Sequence, residues 1–422
     1  MSWEKVKLGD IAEFANGINF GKEAYGKGVK FIGVSDFKNR FSPEYDLLDE
    51  VKEEVVRKSD YLHSGDIVFV RSNGNKELVG RCMLVDTLQD RVTYSGFCIR
   101  ARIKDTSKHN PVFWTYHFKN MSFRKAMSGN AIGANIQNLS QWRLSDYEAI
   151  VPDLKTQHRI AEILSTYDNL IENNRKQIVL LEEAAQRLYR EYFVDLRFPG
   201  HEDVKVIDGV PEGWRKEPIC NIVSYDIGGG WGEDCIKEKN EKGAFVIRGT
   251  DLSGLTHGDI SSIPYRYHTE SNLSSRKLQD GDIVFEVSGG SKIEGVARTI
   301  LIKKELLEIY KSPVMCASFC KLVRLADVSL VQYMYDTFQY LRSSGKTVEF
   351  DKRSASSIVN YRWKDFLSQQ NVLIPPSMVL NAYNGLAESY YCHIINRSKQ
   401  IETLKQARDR LLPKLMSGEI TV

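Results

Sequence analysis

The chain has 422 residues, of which 42% are hydrophobic and 27% are charged, and its mean hydropathy is −0.35. This length predicts two or three domains, and the composition excludes a disordered or membrane-embedded chain. The formal net charge is only +3, so any nucleic acid would have to be bound by local basic patches. Seven cysteines at scattered spacing and an N-terminus with no apolar signal region indicate a reducing cytoplasm.

Predicted strands and one long helix occupy the first half of the chain. Short β-rich runs at 29–34, 67–71 and 97–103 are separated by Gly, Asn and Ser turns. Residues 155–193 contain neither Pro nor Gly, and their apolar residues recur at steps of three and four. This spacing predicts a helix about 55 Å long with a heptad seam, which favours coiled-coil packing. The predicted seam consists of Ile160, Leu164, Tyr167, Ile171, Asn174, Ile178, Leu181 and Leu188.

The second half of the chain follows the same order, a β-rich part and then a helical pattern. The matching seam of the second helix consists of Tyr390, Ile394, Arg397, Ile401, Leu404 and Leu411. Asn174 and Arg397 then occupy the same heptad position, where a buried polar residue can fix the register of a coiled coil. Each long helix offers a partner for the apolar seam of the other, so the two are predicted to pair and to act as a spacer.

An internal repeat explains why the two halves resemble each other. The pentapeptide Gly-Asp-Ile-Val-Phe occupies positions 65–69 and recurs at positions 281–285. Further colinear matches pair Trp3 with Trp214, Ile32 with Ile247, and Val151-Pro152 with Ile374-Pro375. The separation between matched positions increases steadily along the chain, as loop insertions in a duplicated unit would produce. The sequence therefore predicts a tandem repeat of about 210 residues.

No catalytic or metal-binding constellation is found in the sequence. The Gly-rich stretch at 228–232 lacks the Lys-Ser/Thr of a phosphate-binding loop and is interpreted as a plain loop. Cys316 and Cys320 have no second Cys/His pair at zinc spacing and are interpreted as core residues. Motifs of adenine methyltransferases are also missing. We therefore predict a non-catalytic chain that needs no metal ion or cofactor.

Local patches of basic, aromatic and amide side chains indicate binding instead. Lys and Arg contact phosphates, while Arg, Asn and Ser can hydrogen-bond base edges in the major groove. Loops rich in such groups follow both copies of the repeated pentapeptide. An ordinary solvated surface is the alternative interpretation of each single residue. The candidate DNA-binding residues are Lys22, Arg71, Asn73, Asn75, Lys76, Arg124, Lys125, Arg248, Ser288, Lys292, Lys346, Lys352 and Arg353.

The order of globular part, long helix, globular part and long helix resembles the DNA-specificity subunit of Type I restriction-modification systems. Four segments resemble its opening, the entry to its first helical region, the start of its second recognition domain and its C-terminus, namely residues 3–11, 151–161, 210–214 and 411–420. The entry to the second helix, residues 374–381, departs from the pattern because it lacks the Gln-x-Arg-Ile of residues 157–160.

The resemblance implies an α+β fold with two β-rich target-recognition domains, residues 1–150 and 201–374. Two long antiparallel helices, in residues 151–200 and 375–422, would separate these domains and form a coiled coil with a pseudo-twofold axis. Each domain would recognise half of a bipartite, asymmetric DNA target, and the helical spacer would set the gap. The implied partners are double-stranded DNA, two methyltransferase subunits and restriction/translocase subunits, without a membrane, in the cytoplasm of a bacterium or archaeon.

Two alternatives remain open from the sequence. One is a non-catalytic interaction scaffold that carries two ligand domains on a coiled-coil strut. The other is a self-contained enzyme with an unrecognised site. Salt dependence separates the first alternative from DNA binding, because only phosphate contacts release counterions. DNA methylation that requires an added methyltransferase subunit separates the second.

Overall fold

The structure is a computed structural model that describes residues 3–37, 40–73, 78–128, 137–261, 263–289, 295–353 and 358–422. Its internal contacts divide the chain into two compact units. The first unit contains Met1–Leu170 and Leu404–Val422, and the second contains Ile171–Thr403. The predicted domain limits at 150, 200 and 374 follow changes in sequence character, whereas the contacts assign part of each long helix to each unit.

The first unit is built from short strands and from helices that cover them. Its strands are β1 (Trp3–Lys7), β2 (Ala12–Asn16), β3 (Tyr25–Ile32), β4 (Glu50–Val51), β5 (Ile67–Val70), β6 (Ser72–Asn73), β7 (Cys82–Leu84), β8 (Val92–Tyr94), β9 (Cys98–Ile103), β10 (Gln137–Asn138) and β11 (Glu148–Pro152). Its helices are α1 (Leu8–Ile11), α2 (Pro111–Lys119), α3 (Met121–Ser128), α4 (Gln141–Ser145) and the start of α5 (Leu154–Phe193). Five 3₁₀ turns lie at Lys22–Ala24, Val34–Asp36, Tyr45–Leu47, Glu53–Val55 and Lys58–Asp60 in the described part.

The second unit adds strands and helices of the same kinds. Its strands are β12 (Val206–Ile207), β13 (Val210–Pro211), β14 (Arg215–Pro218), β15 (Val223–Gly228), β16 (Lys242–Ile247), β17 (Tyr265–His268), β18 (Ile283–Glu286), β19 (Ser288–Gly289), β20 (Thr299–Leu301), β21 (Val314–Cys316), β22 (Cys320–Leu325), β23 (Asp351–Arg353), β24 (Val359–Tyr361) and β25 (Asn371–Ile374). Its helices are α6 (Gly249–Thr256), α7 (Glu270–Arg276), α8 (Lys304–Tyr310), α9 (Val331–Ser343), α10 (Trp363–Gln369) and most of α11 (Ser377–Ser417). Its 3₁₀ turns lie at His201–Asp203, Ile219–Asn221, Val328–Leu330 and Val348–Phe350.

The sheets of the two units have the same strand orders. A four-stranded antiparallel sheet runs β2-β9-β5-β7 in the first unit and β15-β22-β18-β20 in the second. A three-stranded sheet runs β4-β3-β8 in the first and β17-β16-β21 in the second, and in each the last pair is parallel. The end strands also pair alike, β1 with β11 and β14 with β25. The internal repeat seen in the sequence is therefore a repeat of topology.

Two long helices continue from the globular parts. The helices α5 and α11 contain 40 and 41 residues, about 60 Å each at 1.5 Å per residue. Within each unit they run antiparallel. In the first unit Asp168 of α5 binds Arg408 of α11, and Ile160 shares a core with Leu415. In the second unit the ring of Tyr192 lies 5.6 Å from that of Tyr383.

The apolar faces of these helices are the reason why each joins both units. Ile160, Ala161 and Leu164 are buried in the core of the first unit, together with the side chains of α2. Farther along α5, Tyr189, Tyr192 and Phe193 belong to the core of the second unit. The remaining predicted seam residues divide by burial. Ile171, Asn174, Ile178, Ile394 and Ile401 are buried, whereas Tyr167, Leu181, Leu188, Tyr390, Arg397, Leu404 and Leu411 are only half-buried.

Candidate nucleic-acid interface

The repeated pentapeptide is a structural anchor in the first unit. Gly65 has φ +91°, a conformation that only glycine adopts without strain, and it turns the chain into β5. Asp66 is 1% exposed and accepts two hydrogen bonds of 2.7 Å from the guanidinium of Arg102 on the neighbouring strand β9. It also accepts the amide of His63 at 2.7 Å. The buried bidentate pair fixes β5 against β9.

The second unit repeats this anchor with different neighbours. Gly281 has φ +86°, and Asp282 is fully buried. Arg324 on β22 donates to the two oxygens of Asp282 at 2.7 and 2.8 Å, and the amide of Gln279 donates at 2.7 Å. In both units the hydrogen bond with the aspartate is the main cause that raises the pKa of the arginine. The anchor therefore places the residues after β5 and β18 in the same position in each unit.

In each unit four segments meet at one end of the four-stranded sheet, next to the end of β5 in the first unit and of β18 in the second. In the first unit the amide of Gly17 donates to Cys98 O at 3.2 Å, and that of Arg71 donates to Phe97 O at 2.8 Å. In the second unit the matching bonds are Gly229 N to Cys320 O and Val287 N to Phe319 O, each 2.9 Å. We call these ends the loop edges, residues 17–19, 71–73, 95–97 and 137–139 in the first unit and 229–231, 287–289, 317–319 and 359–361 in the second.

Close packing at the loop edges requires glycine at one matched position. A Cβ at Gly17 would lie 2.3 Å from the carbonyl oxygen of Ser95. A Cβ at Gly229 would lie 2.2 Å from the carbonyl oxygen of Cys316. Gly228 ends β15, and residues 229–232 form a loop, as the sequence predicted for most of this stretch. Gly229 permits close contact with the neighbouring turn.

Several candidate DNA-binding residues lie on these edges. Arg71 is half-buried, and its guanidinium donates to Gly96 O at 3.3 Å. Asn73 pairs with Gln137 across β6 and β10. In the second unit Ser288 and exposed Lys352 lie on either side of exposed Asn360, across β19, β24 and β23. Arg353 ends β23.

The other candidates are distributed more widely. Lys22 is exposed in a 3₁₀ turn, and Lys346 is exposed with its amine 5.3 Å from the ring centre of Tyr340. Arg248 follows β16 beside the second loop edge, but its guanidinium is held by Asp251 at 2.7 and 2.9 Å. Arg124 and Lys125 lie on α3. Asn75, Lys76 and Lys292 fall outside the described residues.

A cavity of about 300 Å³ in the first unit is lined by several basic side chains. It lies beside β7, α2, α3 and the end of α11, and Arg40, Arg81, Lys119, Arg124 and Arg408 line it. Asp409 is the acidic residue in this lining. Burial lowers the pKa of Lys119, whose amine donates to Arg40 O at 2.7 Å. Part of this charge is neutralised, because Arg408 pairs with Asp168 and Arg40 pairs with Glu44.

A cavity of about 400 Å³ in the second unit has a different lining. Burial raises the pKa of Glu182 to about 7, and that of Asp336 to about 6. His257 lies beside the first of these carboxyls, with 3.6 Å between Nε2 and Oε2. Tyrosine rings and the long helices complete the lining. Two carboxyl groups, two arginines and a histidine share this lining, so neither sign of charge dominates it.

Sequence reasoning missed the non-basic residues of the loop edges, notably Phe97, Phe319 and Asn360. A search restricted to charged and amide-rich segments passes over an isolated phenylalanine. Extending the internal repeat would have found the pair, because Phe97-Cys98 and Phe319-Cys320 continue the same colinear series of matches.

Comparisons with known proteins agree with this architecture. A family model described as Type I restriction modification DNA specificity domain matches residues 1–183. The chain is 25% identical to the Type I restriction enzyme MjaIX specificity subunit of Methanocaldococcus jannaschii, over 100% of this chain and 94% of that protein. It is 22% identical to the EcoKI specificity subunit of Escherichia coli, over 99% and 89% of the two chains. The crystal structure of a Type-I restriction-modification S subunit from M. genitalium shares the fold, with a TM-score of 0.54, 14% identity and coverage of 98% and 96%.

Over nearly its whole length the chain is similar to DNA-specificity subunits, and it shares their fold. The predicted resemblance to the specificity subunits of Type I restriction-modification systems is confirmed, and so is the predicted α+β fold with a long helix after the first globular part. This interpretation is supported over that of an interaction scaffold. Specificity subunits are generally non-catalytic.

The described residues set two limits on the chemistry and the location of the chain. No cluster of three or more His, Cys, Asp or Glu side chains suitable for a metal ion occurs within them. None of the helices in the described part combines the length and the apolar character needed to cross a membrane. Cys316 and Cys320 are buried free thiols, as the sequence predicted.

Proposed function

We propose that this chain is the DNA-specificity subunit of a Type I restriction-modification complex and that each loop edge contacts one half of a bipartite DNA target. The observation that supports this most directly is the duplication of the loop edge. The same anchor and the same backbone hydrogen bonds hold loops whose side chains differ, Arg71 and Asn73 in one unit and Ser288 and Asn360 in the other. Two frames with different side chains suit the recognition of two different half-sites.

The long helices are proposed to set the unspecified gap between the half-sites and to dock two methyltransferase subunits, with restriction/translocase subunits joining that core. Both helices contribute residues to both units, so a change in their length alters the link between the loop edges. The cationic lining of the first-unit cavity supports a DNA contact through local patches in a chain with a net charge of +3. The complex would act in the cytoplasm.

A map of modified bases in host DNA tests the proposal. Single-molecule sequencing would compare cells that have the intact gene with cells that lack it. We expect a gapped, two-part motif carrying N6-methyladenine to disappear on deletion. If methylation is unchanged, the gene is expressed together with the neighbouring methyltransferase gene in a host without such a system. Continued absence of a two-part mark in that host contradicts the proposal.

A length change tests the role of the helices. Insertion of one heptad into both α5 and α11 keeps the heptad phase of each helix. The expected result is a motif with unchanged half-sites and a longer gap. A motif with an unchanged gap would show that the helices do not set it.

A further inference from the structure

Each loop edge presents one exposed phenylalanine in the same setting. The side chains of Phe97 and Phe319 are 59% and 52% exposed. Each phenylalanine is the third residue of a four-residue turn, closed by Cys98 N to Ser95 O and by Cys320 N to Ala317 O, both 2.8 Å. A phenyl ring stabilises a fold when it is buried away from water, and neither of these rings is buried in a core.

The backbone of both phenylalanines is fixed by the same contacts. Phe97 O accepts the amides of Arg71 at 2.8 Å and Ser72 at 3.3 Å. Phe319 O accepts the amides of Val287 at 2.9 Å and Ser288 at 3.2 Å. These donors directly follow the anchored strands β5 and β18. An exposed ring is therefore held in place by a frame that occurs twice in one chain.

We propose that Phe97 and Phe319 are matched base-contacting residues, one for each half-site, an inference that rests on the proposed function. A phenyl ring carries no charge and gives a phosphate nothing to bind. The apolar surfaces that a DNA duplex offers are the thymine methyl group and the face of a base at an opened step. Arg71, Ser72 and Ser288 surround the rings with the hydrogen-bonding groups that orient a protein on DNA.

The first test uses the complex of the full chain with its methyltransferase subunits. The variants are Phe97→Ala, Phe319→Ala and Phe97→Leu, which retains an apolar side chain. The matched control is Val328→Ala, because Val328 is 83% exposed and follows the opposite end of β22. Modified-base maps give the motif of each variant, and titrations of the mapped target at several salt concentrations give the affinity.

Each alanine variant is expected to lose about tenfold in affinity and to relax the sequence preference in one half-site only, a different half for each variant. Phe97→Leu should retain most of the affinity, and Val328→Ala all of it. The slope of log affinity against log salt concentration should stay unchanged, because no phosphate contact is removed. Unchanged affinity and preference in both alanine variants would overturn the proposal.

Two further measurements separate the sources of contact. Replacement of thymine by uracil at the relaxed position removes a methyl contact, and 2-aminopurine fluorescence detects an opened base step. Loss of co-purification with the methyltransferase subunits in the alanine variants would mean that the rings contact a partner protein, and the proposal would fail. A wild-type chain that yields no two-part mark would instead contradict the proposed function itself.

Discussion

The two units share one frame but hold the long helices by different chemistry. In the first unit Asp168 of α5 is buried, and it accepts hydrogen bonds from Tyr116 at 2.5 Å and from Arg408 of α11. In the second unit Tyr383 of α11 packs its ring 4.7 Å from that of Phe193, and its hydroxyl donates to Asp336 at 2.6 Å. The frame around the repeated pentapeptide is preserved, whereas the contacts to the helices have diverged.

The cavities next to the helices show the same divergence. Arginines and a lysine dominate the charged lining in the first unit, whereas the lining in the second combines four tyrosines with two carboxyl groups, two arginines and a histidine. A duplicated scaffold therefore keeps the hydrogen bonds that position its loops and varies the side chains elsewhere. Substitutions of the shared frame contacts should therefore have similar effects in both units, whereas substitutions of the diverged contacts should have different effects.

The largest expected effect tests the shared frame. Asp66→Asn and Asp282→Asn each break a buried bidentate pair, and each should lower the free energy of unfolding of its own unit by about 3–5 kcal/mol. Hydrogen exchange of β5 and β9, or of β18 and β22, would measure the loss unit by unit. The control is Asp90→Asn, since Asp90 is 61% exposed in its ion pair with Lys30 and should contribute less than about 1 kcal/mol. A loss in only one unit would refute the equivalence of the two anchors.

The next effect belongs to the first unit alone. Arg408→Ala leaves the carboxylate of Asp168 buried without its cation and should lower the free energy of unfolding of this unit by about 3 kcal/mol. Addition of Asp168→Asn should restore part of the loss, because a neutral amide needs no counter-charge. In the second unit Tyr383→Phe removes one hydrogen bond and should cost about 1 kcal/mol. Urea unfolding with hydrogen exchange as the readout measures both, and equal losses would contradict the proposed difference in chemistry.

In the second unit, two carboxyl groups with raised pKa values favour a loss of stability as the pH rises. The pKa of Glu182 is raised by burial from 4.5 to about 7, so the unfolded chain releases this proton more readily than the folded one. The stability of the unit should therefore fall as the pH rises from about 4.5 to about 7, and Asp336 adds to the fall in the same direction. Glu182→Gln should reduce the loss between pH 5 and pH 8 by about 2 kcal/mol.

Urea midpoints at several pH values measure this effect. His257 lies beside Glu182, and His257→Asn is the second variant because it removes the imidazole next to this carboxyl while it keeps a polar side chain. A wild-type stability that stays constant or rises between pH 5 and pH 8 would show that Glu182 is not desolvated in the folded unit.

Periodicity predicted the long helices well, and their buried faces less well. Where the predicted seam and the structure differ, the buried side chain is often the next residue along the chain, Asp168, Tyr391, Ser398 and Leu412. A strict heptad has 3.5 residues per turn, whereas a straight α-helix has 3.6, so the buried stripe drifts by about 20° per heptad. Over helices of 40 residues the drift moves the seam by one position.

Charge alone predicted the interface less well than the repeat did. Arg248 is a basic residue of the second globular part, yet its guanidinium forms an ion pair with Asp251, an arrangement that the sequence does not reveal. Arg324 likewise forms an ion pair with Asp282 of the anchor. The Arg324–Asp282 pair depends on the pairing of β18 with β22, which the charges alone do not reveal. The repeat needs no such knowledge, because residues matched by the duplication share a position in the fold.

The smallest expected effect concerns a single cation on β23, the strand beside the second loop edge. Lys352 is exposed on β23 opposite Asn360, so its amine is available for a phosphate. Lys352→Ala should weaken DNA binding by the complex by about 1 kcal/mol on every sequence and reduce the salt slope by about 1. Its control is Lys216→Ala. Lys216 is also exposed, and it lies on β14, which comes before the start of β15, whereas the loop edge follows the end of β15. Because one phosphate contact carries no sequence information, the methylated motif should stay the same. A changed motif would mean that Lys352 contacts a base edge rather than a phosphate. The second unit would then recognise bases with a cation as well as with uncharged side chains.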